Sequence, residues 1–126
     1  MEQTINILVI DDEQIVLDSV RKQLHGEDCS VQTVLSVEEA LVLLDQTRFD
    51  VVMTDLMMPH VDGLELMQII KERFPDILVI MMTGYATISS ANQATQQGAF
   101  GYVAKPFTKA ELKEVVRRAL EQVKRR

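Results

Sequence analysis

The chain has 126 residues, 47% hydrophobic and 25% charged, the makeup of one soluble globular domain. Thirteen basic against nineteen acidic residues leave a net charge of −6, which argues against this domain itself gripping a nucleic-acid backbone. One cysteine, Cys29, excludes an internal disulfide and a Cys-rich zinc site, and no apolar run approaches the length of a membrane span.

The amino terminus, Met1-Glu2-Gln3-Thr4, is acidic and leads straight into a strand, so no signal peptide is expected and the cytoplasm is the expected compartment. Short apolar runs recur at 5–10, 31–35, 51–53, 77–82 and 102–104. Helical patterns lie between them. Val16, Val20 and Leu24, with Leu17 beside them, form one face of the first, and Gly26 is expected to close it at the residue after the cap. Ser36-Val37-Glu38-Glu39 reads as a capping box opening the second helix, with Ala40, Leu41 and Leu44 turned inward. The third runs from about Gly63 to Phe74 and stops at Pro75.

The fourth pattern, from about Thr87 to Gly98, has only Ile88, Ala91 and Ala94 as apolar anchors. A helix burying so little is expected to be held weakly. The fifth opens on a second capping box, Thr108-Lys109-Ala110-Glu111, and carries Leu112, Val115, Val116, Ala119, Leu120 and Val123 on one face. Its pattern still runs at Val123 with no closing glycine or proline, as expected of a domain excised from a longer chain.

Five strands alternating with five helices predict an α/β fold with a five-stranded parallel sheet covered on both faces. The flavodoxin-like doubly wound order 2-1-3-4-5 uses five strands and suits this length, and ligands bind such sheets beyond the carboxyl ends of the strands. Polar residues end the strands at that edge: Asp11-Asp12-Glu13 after the first, Asp55 after the third, Thr83-Gly84 after the fourth and Lys105-Pro106 after the fifth. Singly, each has an ordinary use. Asp55 could initiate a turn, and Asp11 or Asp12 could cap the first helix.

Together they place three carboxylates, a hydroxyl and an ammonium at one point. Like charges ~4 Å apart repel by about 4 kcal/mol at the effective dielectric near a protein surface, so a cation is expected among the acids. Few hard oxygen ligands with room for water suit Mg²⁺. Lys105 and Thr83 are suited to the oxygens of a bound phosphoryl group.

These residues resemble the receiver domain of bacterial two-component response regulators, over essentially the whole chain, 1–126. Asp11-Asp12-Glu13 is similar to that family's acidic pair, and Thr54 to Gly63, with Asp55 and Pro59, to its phospho-acceptor loop. Met82-Thr83-Gly84 is similar to its hydroxyl position, Lys105-Pro106-Phe107 to its lysine motif, and Tyr102 stands at its aromatic switch position.

The resemblance implies that Asp55 accepts a phosphoryl group from a histidine kinase or phosphotransfer protein. It implies Mg²⁺ held by Asp12, Asp55 and the Met57 backbone carbonyl, with Asp11 acting partly through water. It also implies a phospho-acceptor that assists its own phosphorylation and dephosphorylation rather than an enzyme acting on other substrates. Its output would leave through the surface of helix four, strand five and helix five, toward an attached output domain or a second copy. Gly101 departs from the family at a place where an acidic residue is frequent.

Two other readings compete. A phosphatase of the haloacid-dehalogenase type also uses a strand-end Asp and Mg²⁺, but needs an acid two residues later, where this chain has Met57. A nucleotide-binding module lacks both of its glycine-rich signatures here. A receiver that signals without phosphorylation stays open at this point.

Overall fold

Continuous apolar runs bury both faces of a strand, which is the condition inside a parallel sheet with helices on either side. The computed structural model describes residues 4–55, 57, 58, 61–84 and 88–125, with the backbone alone at 57, 58, 61–63 and 88–91. Along the chain, β1 (Ile5–Ile10), α1 (Gln14–Gln23), β2 (Cys29–Val34), α2 (Val37–Gln46) and β3 (Val51–Asp55) come first. Then follow α3 (Gly63–Arg73), β4 (Leu78–Thr83), α4 (Ile88–Gln96), β5 (Gly101–Ala104) and α5 (Lys109–Lys124). A two-residue antiparallel ladder, Met57–Met58 on Val61–Asp62, stands outside the main sheet.

The main sheet is five-stranded and parallel in the order β2-β1-β3-β4-β5, the expected doubly wound arrangement. Alternation along each strand divides the core in two. Ile7, Val9, Val51, Met53, Ile80 and Met82 face α1 and α5. Leu8, Ile10, Val52, Val79 and Met81 face Ala40 and Leu44 of α2, Leu66, Met67 and Ile70 of α3, and Ala94 of α4.

Local differences from expectation have physical reasons. β2 begins at Cys29, two residues before its apolar run, because parallel pairing with β1 starts at Ile5↔Cys29. As an edge strand it exposes Ser30 and Gln32, so pairing rather than hydrophobicity sets its start. Cys29 is half-buried there, and burial, with Glu27 and Asp28 nearby, raises its thiol pKa. Gly26 does not close α1, whose cap is Leu24; it takes φ +90° two residues later, in the turn toward β2.

Ser36 caps α2 by accepting from the Glu39 N–H at 3.2 Å, but the Glu39 carboxylate accepts from the Leu35 N–H, so that box is only half formed. The Thr108–Glu111 box on α5 is complete, with bonds of 3.0 and 3.1 Å. In α4, Ala94 is the one buried residue among the described side chains; the expected anchors Ile88 and Ala91 lie outside them.

Gly101 has a packing role. A Cβ there would lie 2.4 Å from Val115 Cγ2, so α5 rests on β5 at a distance only glycine allows. Gly101→Ala should lower stability by about 1–3 kcal/mol through overpacking, more than the roughly 0.5–1 kcal/mol an alanine gains over glycine in a strand. Urea unfolding checks it, with Val115→Ala expected to recover part of the loss in the double variant. An unchanged midpoint in Gly101→Ala would show that α5 yields freely.

Candidate phospho-acceptor site

Strand register brings the polar residues together. The β1–β3 ladder ends at Ile10↔Thr54, so the next residues, Asp11 and Asp55, stand side by side at the switch point of the sheet. On the other flank Asp55 pairs with Met82 and Thr83 pairs with Ala104, so Thr83 and then Lys105 follow at the same edge. The Lys105 N–H donates to the Thr83 carbonyl at 2.8 Å, holding the start of the last loop against β4. The Lys105–Pro106 peptide is cis.

The carboxylate oxygens of Asp11, Asp12 and Asp55 lie within 4.8 Å of one another. Asp11 is fully buried, Asp55 nearly so, and Asp12 is exposed. Lys105 Nζ bridges two of them, donating to Asp11 Oδ2 at 2.6 Å and Asp55 Oδ2 at 2.7 Å. The other Asp11 oxygen, Oδ1, accepts from the Glu13 N–H at 2.9 Å.

Burial pushes the Asp11 carboxyl above its usual pKa, and the bonds from Lys105 and Glu13 offset only part of that. Burial would lower the Lys105 pKa, but its bonds to Asp11 and Asp55 prevail and raise it. The cluster therefore holds a fixed ammonium among acids that would otherwise repel one another.

Each expected residue can now be placed. Asp11, Asp12, Asp55 and Lys105 converge, and Thr83 is fully buried at the same edge. Neither acid of the pair is the N-cap of α1: that residue is Glu13, and its side chain makes no capping bond. Tyr102 pairs with Met81 in the sheet and packs, half-buried, against the α2–α4 side of the core. Met57 belongs to the short ladder just beyond Asp55. Pro59 lies outside the described residues.

The donor set fits Mg²⁺. It consists of hard carboxylate oxygens, of which Asp12 is exposed to incoming ion and water, while both Asp11 oxygens already have hydrogen-bond donors. Asp11, Asp12 and Asp55 are the acids that could hold such an ion. Among the described residues no helix is long and apolar enough to cross a membrane.

One part of the surroundings escaped the sequence reading. Ile15, 75% exposed, lines an apolar groove with Val16, Ser19, Gly84, Lys105, Pro106 and Phe107, a space of about 450 Å³. Its signal was present: Ile15 lies off the buried Leu17–Val20–Leu24 stripe of α1. An apolar residue off the stripe is unremarkable until the fold sets it beside Lys105.

Comparison with known proteins agrees with this geometry. A family profile described as "Response regulator receiver domain" matches residues 7–117. The DNA-binding transcriptional regulator NtrC of Proteus hauseri is 34% identical over 115 residues, which cover 91% of this chain and 24% of that protein. The chain thus spans about a quarter of the length of the curated relatives it matches. The crystal structure of a CheY-like receiver domain protein from Methanospirillum hungatei superposes with a TM-score of 0.88 at 27% identity, covering 98% of both chains. The beryllofluoride-activated NtrC4 receiver domain dimer superposes with a TM-score of 0.88 at 30% identity, over 94% of this chain and 98% of that one. With the family profile matched over most of its length and the acidic cluster, buried threonine and lysine at the expected strand ends, the chain belongs to the response regulator receiver domain family.

Proposed function

We propose that Asp55 is the phospho-acceptor of a signalling switch, charged by a histidine kinase or phosphotransfer protein with Mg²⁺ bound. The observation that carries this reading is the convergence of the Asp11, Asp12 and Asp55 carboxylates within 4.8 Å, with Lys105 hydrogen-bonded to two of them. In the transfer, an Asp55 oxygen forms a bond to phosphorus while the bond from phosphorus to the donor's imidazole nitrogen breaks. Such a reaction asks the protein mainly for in-line positioning and charge neutralisation. Mg²⁺, when bound, would neutralise charge between the acceptor and the incoming phosphoryl oxygens.

Asp12, Asp55 and the Met57 carbonyl would hold that ion, with Asp11 acting partly through water. Lys105 and Thr83 take the remaining phosphoryl oxygens. The apolar groove around Ile15 and Phe107 borders Lys105 and offers the donor protein a surface at the right place. The domain assists its own phosphorylation and dephosphorylation and turns over no other substrate. It works in the cytoplasm. A haloacid-dehalogenase mechanism is disfavoured because Met57, two residues after Asp55, cannot donate a proton.

The test uses Mg²⁺ and a small acyl-phosphate donor. Intact mass should show one added phosphoryl, and borohydride reduction of the acyl phosphate should leave homoserine at position 55. An adduct mapped elsewhere would overturn the assignment.

The signal leaves through Thr83. A phosphoryl on Asp55 gives its hydroxyl a strong acceptor, draws the following loop inward and makes room for Tyr102 to turn from half-buried to buried. A ligand shifts such an equilibrium only by its differential affinity for the two states, so the moving element must be weakly held. α4 meets that condition, with Ala94 as the buried anchor among its described side chains. The α4–β5–α5 surface is then the output face, for an attached output domain or for self-association. The activated NtrC4 receiver is itself a dimer, which supports the second use. With beryllofluoride as the phosphoryl mimic, hydrogen-exchange protection should change across residues 84–104 and not in Thr83→Ala. Changes confined to the loop after Asp55 would disprove this relay.

A further inference from the structure

We infer that Lys71 of α3 is a positioning residue for the switch: it clamps the C-terminal end of α4, so that α4 tilts about that end instead of sliding. This rests on the output reading given above. A helix joining two neighbouring parallel strands must run back against them, so α4 starts near the acceptor edge, after Thr83, and ends at the far edge, before Gly101. Its nine residues span roughly 13 Å between the two. A change at the acceptor therefore reaches α4 at one end only.

The far end is tied down from several sides. The Gly98 N–H donates to the Thr95 carbonyl at 3.1 Å and the Ala99 N–H to the Ala94 carbonyl at 3.0 Å, a closure for which Gly98 takes φ +106°. Ala94 is fully buried, and the Phe100 N–H donates to the Val79 carbonyl at 2.7 Å, fixing the turn to β4. From α3, Gln68 Nε2 donates to Gln97 Oε1 at 3.4 Å, an exposed bond of small weight. The half-buried Lys71 does more: its Nζ donates to the Ile77 carbonyl at 3.5 Å while its stem lies along Gly98. A Cβ on Gly98 would come 3.2 Å from Lys71 Cε. One side chain thus joins α3, the residue before β4 and the turn after α4. With that end held, a pull at the other end tilts the helix and swings the exposed Asn92, Gln93 and Gln96 across the output face.

The test compares backbone residual dipolar couplings with and without beryllofluoride in the unmodified protein, Lys71→Ala and Lys71→Met. Methionine keeps most of the stem and drops the ammonium; alanine removes both. In the unmodified protein the N–H vectors of residues 92–96 should turn relative to the sheet on loading, while Gly98, Ala99 and Phe100 keep their orientation. In Lys71→Ala those three should turn with the helix. Before loading, their amides should also exchange about tenfold faster, because the turn opens locally once its side-chain contact is lost. The loop after Asp55 should still respond to beryllofluoride in Lys71→Ala, while the response at Tyr102 shrinks, which places the defect in transmission. Lys71→Met should behave as the unmodified protein.

If residues 98–100 turn together with 92–96 in the unmodified protein, α4 moves as a whole; the fulcrum is overturned and the proposed relay stands. If the loop after Asp55 responds but no α4 residue turns, the relay falls and the fulcrum with it. Lys71→Ala indistinguishable from the unmodified protein, or Lys71→Met as impaired as Lys71→Ala, overturns the part given to the Lys71 stem. The couplings of the unmodified protein decide the fulcrum even where Lys71→Ala fails to fold.

Discussion

Asp55→Asn should show no phosphoryl adduct under conditions that label the unmodified protein completely, a total loss in intact mass. The carboxamide is nearly isosteric, and its oxygen can still accept from Lys105, so the fold should persist. It lacks the anionic oxygen that attacks phosphorus. Replacing a nearly buried carboxylate beside buried Asp11 and exposed Asp12 also removes one of three mutually repelling charges. Thermal unfolding of the metal-free variant should therefore match or exceed that of the unmodified protein. Labelling that survives at full level would place the acceptor on another side chain, with Asp12, the exposed member of the cluster, the first to examine.

The second large effect is expected from Asp12→Ala, followed by titration with Mg²⁺. As the exposed acid whose oxygens face arriving ions, Asp12 should cost more than the roughly 10–100-fold typical of a lost outer-shell partner. Metal-free stability should not fall, because the N-cap of α1 is Glu13, and the side-chain bond onto its N–H comes from Asp11 rather than Asp12. A loss of about 1 kcal/mol would instead mark Asp12 as a helix cap.

The pH dependence of the unmodified protein follows from its neighbour. Asp11 is raised above 3.8 by burial, so Mg²⁺ affinity should weaken as pH falls through that raised value. For the metal-free fold the sign is opposite. The native state binds the Asp11 proton more tightly than the unfolded chain, so this group's contribution to stability falls as pH rises from 3.8 through the raised pKa. Lys105, raised above 10.5 chiefly by its carboxylate partners acting against burial, stabilises the fold below 10.5 and loses that contribution as pH rises through its folded pKa. Affinity measured by calorimetry across acid pH checks the first of these. Binding that stays constant to low pH would remove Asp11 from the metal's surroundings.

Much of this was legible because it depends on local pattern. Runs such as Val51-Val52-Met53, alternating with helical patterns, suit strands buried on both faces of a parallel sheet, and the polar residues ending the runs then lie at one edge. The rule located Asp11, Asp12, Asp55, Thr83 and Lys105 without coordinates. Thr108-Lys109-Ala110-Glu111 likewise specified its own cap, since both bonds close within four residues. The half-formed box at Ser36 shows the limit of such rules: the Glu39 carboxylate had two backbone N–H groups in reach, and it accepts from Leu35.

What tertiary structure alone decided rests on contacts between distant parts of the chain. Lys105 meets Asp11 across 94 positions and Asp55 across 50, and no local periodicity says which acids an ammonium will bridge. Nor could sequence say that, of two adjacent acids, Asp11 would be buried and Asp12 exposed. That follows from the β1–β3 register, which continues one residue past Ile10↔Thr54 and sets Asp11 beside Asp55. The need for glycine at 101 arises in the same way, from the depth at which α5 settles on β5 and brings Val115 against it. The chain's local chemistry determines which residues reach the site; the packing of helices on the sheet determines which of their atoms touch, because those distances are set only when all five strands and both layers close together.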